Sequence, residues 1–320
     1  MATPSAFYVK PVLAGVAAAY ARDTAVFAAP VLLPFVPAAK QEGYIFNNDP
    51  ERVMHRVINS KRGPGGFYAM TDFQSPTQAT YNCEDHALSG FVPDEYLKQC
   101  DPEAEPSLPT VESITHQLLL EMEVSLVTAL GTLSQTSSPS TKWDASAGSL
   151  IADVKAQKET IRVQTGRDPN ILVCTAQVLD KITETPDFKD RVKFTLTVEQ
   201  QRAMGPEGVL AATLGVDRVF KAQAYRNTAL QGQAASMASI WGENVLLAYV
   251  DNPRSTNVNG SQALGLTVTW DSPAGDVRGG FSVATERINA RKGEAMYLNM
   301  YYDQITLNTG AGYWFTNVLT

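Results

Sequence analysis

The chain is poor in the residues from which catalytic and metal centres are usually built. Cysteine and histidine occur three times each in 320 residues. Cys83, Cys100 and Cys174 are odd in number and widely spaced, so neither a disulfide framework nor a paired-thiolate zinc site can be drawn, and a reducing interior fits best. His55, His86 and His116 are the only imidazoles that can act as acid, base or ligand. The phosphate loop GxxxxGK[ST], the dinucleotide turn GxGxxG, the zinc helix HExxH and the nucleophile elbow GxSxG are all missing. Basic runs are missing too: the net charge is −7 and the pI near 5.1, which argues against sequence-specific grip on nucleic acid. No uninterrupted apolar run reaches the roughly 20 residues that a bilayer core demands. Val12–Tyr20 imitates a signal peptide, but only Lys10 precedes it as a cation, and Arg22 and Asp23 end the apolar run soon after. The sequence reads as that of a soluble protein.

What is present is enough apolar residue, 44%, for a sizeable core in one large or two modest domains. Between Val26 and Pro37 the apolar residues alternate with Pro30, Pro34 and Pro37, which rules against a regular helix and predicts an extended strip. From about Lys40 to Glu105 the chain has strand and turn chemistry but too little apolar content to build a core. Such a segment is best read as an arm whose partner surface lies on another copy of the chain, which puts assembly ahead of catalysis. Tyr44-Ile45-Phe46 and Phe67-Tyr68-Ala69-Met70, on either side of Lys61–Gly66, predict a two-stranded ribbon. Arg52, Arg56, Lys61 and Arg62 gather toward its tip, either as a solvated turn or as an electrostatic dock for an acidic patch on a neighbour.

After Pro106–Pro109 comes the strongest helical signal, with Thr110 as N-cap and Val111, Ile114, Leu118, Met122, Leu126, Ala129 and Leu133 at three- and four-residue steps. A second helix is predicted over 146–165, with Gly166 as its stop. Beyond it the pattern is mixed: a buried strand at 171–174, helices over 176–183 and 198–214, the latter broken at Gly205-Pro206, then strands over 216–225, 240–250, 264–270, 281–286, 295–302 and 311–318. Cys83-Glu84-Asp85-His86 is the densest ligand-like cluster, but neighbours on an extended chain point to opposite faces and do not converge on one ion. His116 reads as a partly exposed packing residue. Glu121 and Glu123, two apart on a helix, do not face each other and read as solvated surface, as do Asp101, Glu103 and Glu105. Trp143, Trp241, Trp270 and Trp314 read as core or interface anchors. No metal, cofactor or catalytic residue is assigned.

The order of segments resembles the tailed-phage major capsid proteins with the Hong Kong 97-type fold. Pro30–Pro37 followed by Glu42-Gly43-Tyr44-Ile45 is similar to the N-terminal arm entering the extended loop, and Tyr81–Leu88 followed by Val92-Pro93 to its return. Val111–Gln135 is similar to the long spine helix. Trp143-Asp144, the 146–165 helix and Gly166–Val173 are similar to the peripheral domain, and Leu210–Val219, Ala222–Tyr225 and Ile240-Trp241-Gly242 to the axial domain. The resemblance implies an α+β fold divided into an N-terminal arm (1–39), an extended β loop (40–105), spine helix and peripheral domain (106–220), an axial domain (221–300) and a returning C-terminal strand (301–320). It implies a shell of pentamers and hexamers around DNA that is held by non-specific contact only. Arg52, Arg56, Lys61, Arg62, Phe67, Tyr68, Phe35 and Trp241 are the candidate contacts between subunits. No charged helical N-terminal region reads as a built-in scaffold, so separate scaffolding, portal and decoration proteins are the partners to expect. The implied location is the virion capsid, assembled in the host cytoplasm, with no membrane contact. An encapsulin-type compartment and, more distantly, a mixed α/β hydrolase using an acid pair outside the known motifs are the alternative readings.

Overall fold

In a computed structural model, residues 8–9, 11–23, 26–47, 60–64, 66–68, 77–99, 106–145, 148, 150–195, 198–230, 232–251, 262–270 and 280–320 are described. The long helix expected from the apolar stripe runs over Ser107–Leu130, about 36 Å at 1.5 Å per residue. It begins earlier than the Thr110 cap predicts. Pro109 falls in the first turn, where its missing N–H would have had no helical partner, and the Thr110 hydroxyl donates back to the Pro106 carbonyl at 2.8 Å. Its buried stripe of Val111, Ile114, Leu118, Met122, Leu126 and Leu130 lies in the largest apolar cluster of the molecule.

The sheet beside this helix is organised by one strand, β14 (Gly293–Thr306). Strand β5 (Glu84–Pro93) pairs along one edge of it, antiparallel from Gly293↔Pro93 to Tyr302↔Glu84. Strands β12 (Gly265–Trp270) and β13 (Phe281–Ile288) lie end to end along the other edge, since Thr269 pairs with Tyr302 and Phe281 with Met300. Two short N-terminal strands complete the sheet: β1 (Tyr8–Val9) on β13, and β2 (Phe35–Ala38) parallel to β12. Helix α1 (Pro11–Asp23) packs between the long helix and β13. The Pro-rich strip is therefore only half extended. Pro30 sits in the first turn of a short helix, α2 (Ala29–Leu32), a position that tolerates proline, before the chain straightens into β2.

A second sheet has the order β6 (Thr136–Ser137), β15 (Gly312–Phe315), β11 (Val245–Ala248), β7 (Ile171–Thr175), β8 (Arg218–Ala222). Its side chains alternate between two cores, as the two-residue period of a strand requires. Ile171, Val173, Leu246, Ala248 and Trp314 face the cluster around the long helix. Leu172, Cys174, Val245, Leu247, Tyr313 and Phe315 face a cluster built with the helices of 150–165, 176–184, 186–195 and 198–214. The break expected in the last of these is present as a left-handed kink at Gly205, φ 68°.

The strands do not sort at the boundaries 220 and 300. The first cuts β8 and the second cuts β14, because residues 265–306 complete the sheet beside the long helix while 218–222, 245–248 and 312–315 share the other. Hydrogen-bond partners far apart in sequence decide this grouping, and periodicity does not report them.

Gly265 marks where the N-terminal strip closes over the first sheet. A Cβ there would lie 2.3 Å from the Ile305 carbonyl oxygen and 2.8 Å from Leu33 Cδ2. Backbone on one side leaves nothing to yield, so Gly265→Ala is expected to destabilise the chain by about 2 kcal/mol, read as a lowered thermal midpoint.

Candidate assembly surface

The extended loop leaves the body as a ribbon of β3 (Glu42–Asn47) and β4 (Thr77–Asn82), antiparallel, with Tyr44 opposite Thr80. The strand facing Tyr44-Ile45-Phe46 thus lies in 77–82; of the 67–70 expected from sequence, Phe67 and Tyr68 lie in no strand and residues 69–70 are outside the described residues. Register is counted from the base, where Cys83 N–H donates to the Gln41 carbonyl at 3.0 Å and the Gln41 amide donates to the Cys83 carbonyl at 3.1 Å. Val36, Ile45, Cys83, Leu266, Val268, Ile305 and Leu307 form a separate small core under that base. The Asn82 N–H donates to Asp303 Oδ2 at 2.9 Å, tying the ribbon to β14. Cys83 belongs to this packing; burial raises its thiol pKa to about 11, so it is neither a reactive thiolate nor a ready metal ligand.

Farther along the loop, the described residues are bare. Phe67 is 99% exposed, Tyr68 79% and Tyr44 67%, and residues 60–64 and 66–68 are exposed throughout. The Arg62 guanidinium sits 4.5 Å from the centre of the Tyr68 ring, which draws a cation and two aromatic side chains together at one place. Lys61 is exposed beside it. Arg52 and Arg56 lie outside the described residues. A wholly exposed phenylalanine beside an exposed tyrosine is a surface made for a partner.

Two of the expected contacts are engaged within the chain. Phe35 is half-buried and packs against the main core from β2. Trp241 is wholly buried, 5.5 Å from the Trp314 ring, and is an internal anchor rather than a contact between subunits. Its indole N–H reaches Glu123, the acid that sequence had assigned to solvent. Glu123 is wholly buried on the long helix. Its Oε1 accepts from Trp241 Nε1 at 2.5 Å and from Ala28 N at 3.1 Å, and its Oε2 accepts from Ala29 N at 2.7 Å. One carboxylate thereby joins the long helix, the start of the short arm helix and the turn before β11. Burial pushes its pKa up, and the three donors hold that rise back. Thr115, Leu119 and Glu123 succeed one another at four-residue steps on the buried face, so the position was marked in sequence by an acid inside an apolar stripe. His116 behaves as expected, half-buried against Phe27 with ring centres 5.2 Å apart.

No protein-family model matches the chain. It is 25% identical to the major capsid protein of Pseudomonas phage JBD67 over 98% of both chains. Among solved structures it is similar to a phage-related protein from Bordetella bronchiseptica, with TM-score 0.72, 20% identity and 98% of each chain covered. The satellite phage P4 procapsid matches over 98% of this chain and 91% of that one, with TM-score 0.55 and 10% identity. The SrpI encapsulin of Synechococcus elongatus matches at TM-score 0.50, with 12% identity and 91% and 87% of the two chains covered. The fold is the Hong Kong 97-type fold that phage capsids and encapsulins share.

Proposed function

We propose that the chain is the major capsid protein of a tailed double-stranded DNA phage, a structural protein without catalytic role that associates through pentamers and hexamers into an icosahedral shell. The observation that carries this reading is the pair of exposed aromatic side chains Phe67 and Tyr68 in the long loop, on a chain similar over 98% of its length to a phage major capsid protein. A loop without its own core gains its burial from neighbouring copies. In a shell the same loop contacts repeat at slightly different angles around flat and curved capsomers.

In this reading the peripheral and axial parts are divided between the two sheets, not at residues 220 and 300, since each sheet draws strands from both sides of residue 220. Scaffolding, portal and decoration proteins are further partners, the enclosed DNA is held by non-specific contact, and assembly takes place in the host cytoplasm. An encapsulin-type compartment uses the same fold, but the relationship to a phage capsid protein over nearly the whole length favours the phage shell. Against an acid-pair hydrolase stands Glu123, whose two oxygens are already occupied by structural donors.

The purified chain, alone or with a scaffolding partner, is expected to sediment as capsomers or shells and to show closed particles by electron microscopy. A monomer under every condition, including with that partner, would remove the proposal.

A further inference from the structure

A second projection leaves the body after β8. Strands β9 (Tyr225–Asn227) and β10 (Met237–Ser239) pair antiparallel, and Asn227 Oδ1 ties their connection by accepting from the N–H groups of Ala229 and Ser236, each at 3.0 Å. Tyr225, Leu230 and Met237 are exposed, so this hairpin buries little of its own. A lone two-stranded hairpin is marginal, and its direction is set where its legs meet the body. Both legs meet it at one place. On the entering leg the Gln223 N–H donates to the Val26 carbonyl at 3.2 Å, and the Ile240 N–H donates to the Ala224 carbonyl at 3.0 Å to close the root. On the leaving leg the Trp241 indole donates to Glu123, which also accepts from Ala28 N and Ala29 N. Phe27, Ala28, Ala29, Ala224 and Trp241 all lie buried in the cluster around the long helix. Residues 26–29 of the N-terminal strip therefore hold one leg directly and the other through a single carboxylate.

We infer that Glu123 and residues 26–29 form a clamp that couples the N-terminal strip to the 225–239 hairpin, so that the pose of the hairpin depends on where the strip lies. Glu123 is a positioning residue in this device and touches no partner. Its two oxygens serve donors from two segments about 200 residues apart in sequence, and a network of this kind is satisfied only while all its members keep their places. A shift of the strip by the length of a hydrogen bond leaves either the strip or the hairpin leg without its acceptor. The coupling is reciprocal: a contact that fixes the hairpin also fixes the strip, and one that displaces the strip frees the hairpin. The clamp lies within one subunit, so it goes beyond the shell reading and is measured apart from it.

Amide hydrogen exchange of the unassembled subunit tests the clamp. Phe27→Leu disturbs the strip and leaves every donor and acceptor of the clamp in the chain; Trp241→Phe removes the indole N–H and keeps an aromatic ring beside Trp314. The cross effects decide. Phe27→Leu is expected to speed exchange at Ile240, on the hairpin root, and Trp241→Phe to speed it at Ala29, on the strip, each by about tenfold or more. Val178→Ala, a deletion in the other core, controls for lost stability alone: it should lower the thermal midpoint and leave both amides at the parent rate. Parent rates at Ile240 in Phe27→Leu and at Ala29 in Trp241→Phe, or an equal acceleration of both amides by Val178→Ala, would overturn the inference. Neither result bears on whether the parent chain assembles, so the shell reading is judged separately.

Discussion

Replacing Glu123 by alanine is expected to cost roughly 4 kcal/mol or more, among the largest effects of any single side chain here. The change empties the space of a buried side chain and leaves the N–H groups of Ala28, Ala29 and Trp241 without acceptors. Each orphaned donor carries a desolvation penalty of about 1–3 kcal/mol. Glu123→Gln is expected to cost less, since one oxygen remains, but its amide hydrogens must face at least one N–H. Urea unfolding of the unassembled subunit gives both numbers, and a loss below about 1 kcal/mol for the alanine variant would contradict the arrangement. The pH dependence has a definite sign. The folded pKa lies above the unfolded one, so the native state holds this proton more firmly. The contribution is full below the unfolded pKa and is lost as pH rises through the folded pKa. The glutamine variant should lose that slope.

Removal of residues 59–67 is expected to leave the fold intact and abolish shell formation. The small core at the loop base holds the ribbon by apolar contacts at or before Ile45 and at or beyond Ala79, so the deletion touches none of them. The thermal midpoint of the subunit should stay within a few degrees of the parent, in line with the small effects of changes at exposed loop tips. Sedimentation should show subunits or small oligomers in place of particles. Particle yield equal to that of the parent would mean that the tip lies outside every essential contact.

Much of this architecture can be read from the residues because local periodicity carries it. The long helix, the kink at Gly205 and the strands at 171–175, 265–270 and 281–288 lie close to where apolar spacing puts them. What escapes is decided by partners distant in sequence. The strand that pairs with 42–47 is 77–82 because hydrogen bonds at Gln41 and Cys83 fix the register from below; of the apolar run at 67–70, Phe67 and Tyr68 lie in no strand and residues 69–70 are outside the described residues. The grouping of strands into two sheets is set by β14 and β11, whose neighbours come from widely separated segments. For the surface, Lys61 and Arg62 are exposed as the turn chemistry suggests. Glu123 is misread as solvated surface, and Trp241, read as a core or interface anchor, is buried in the core: an indole and a carboxylate show no inward preference in sequence until their mutual hydrogen bond is known.

The end-to-end arrangement of β12 and β13 along β14 has a consequence for how such a chain tolerates change. β12 ends at Trp270 and β13 begins at Phe281, whose partner Met300 is two positions along β14 from Tyr302, the partner of Thr269. Each strand is held by its own ladder on β14, so the register of the sheet is uncoupled from the length of chain that joins them. Doubling a joining segment costs only about 0.6 kcal/mol in closure entropy. Residues added between Trp270 and Phe281 would therefore leave both ladders in place.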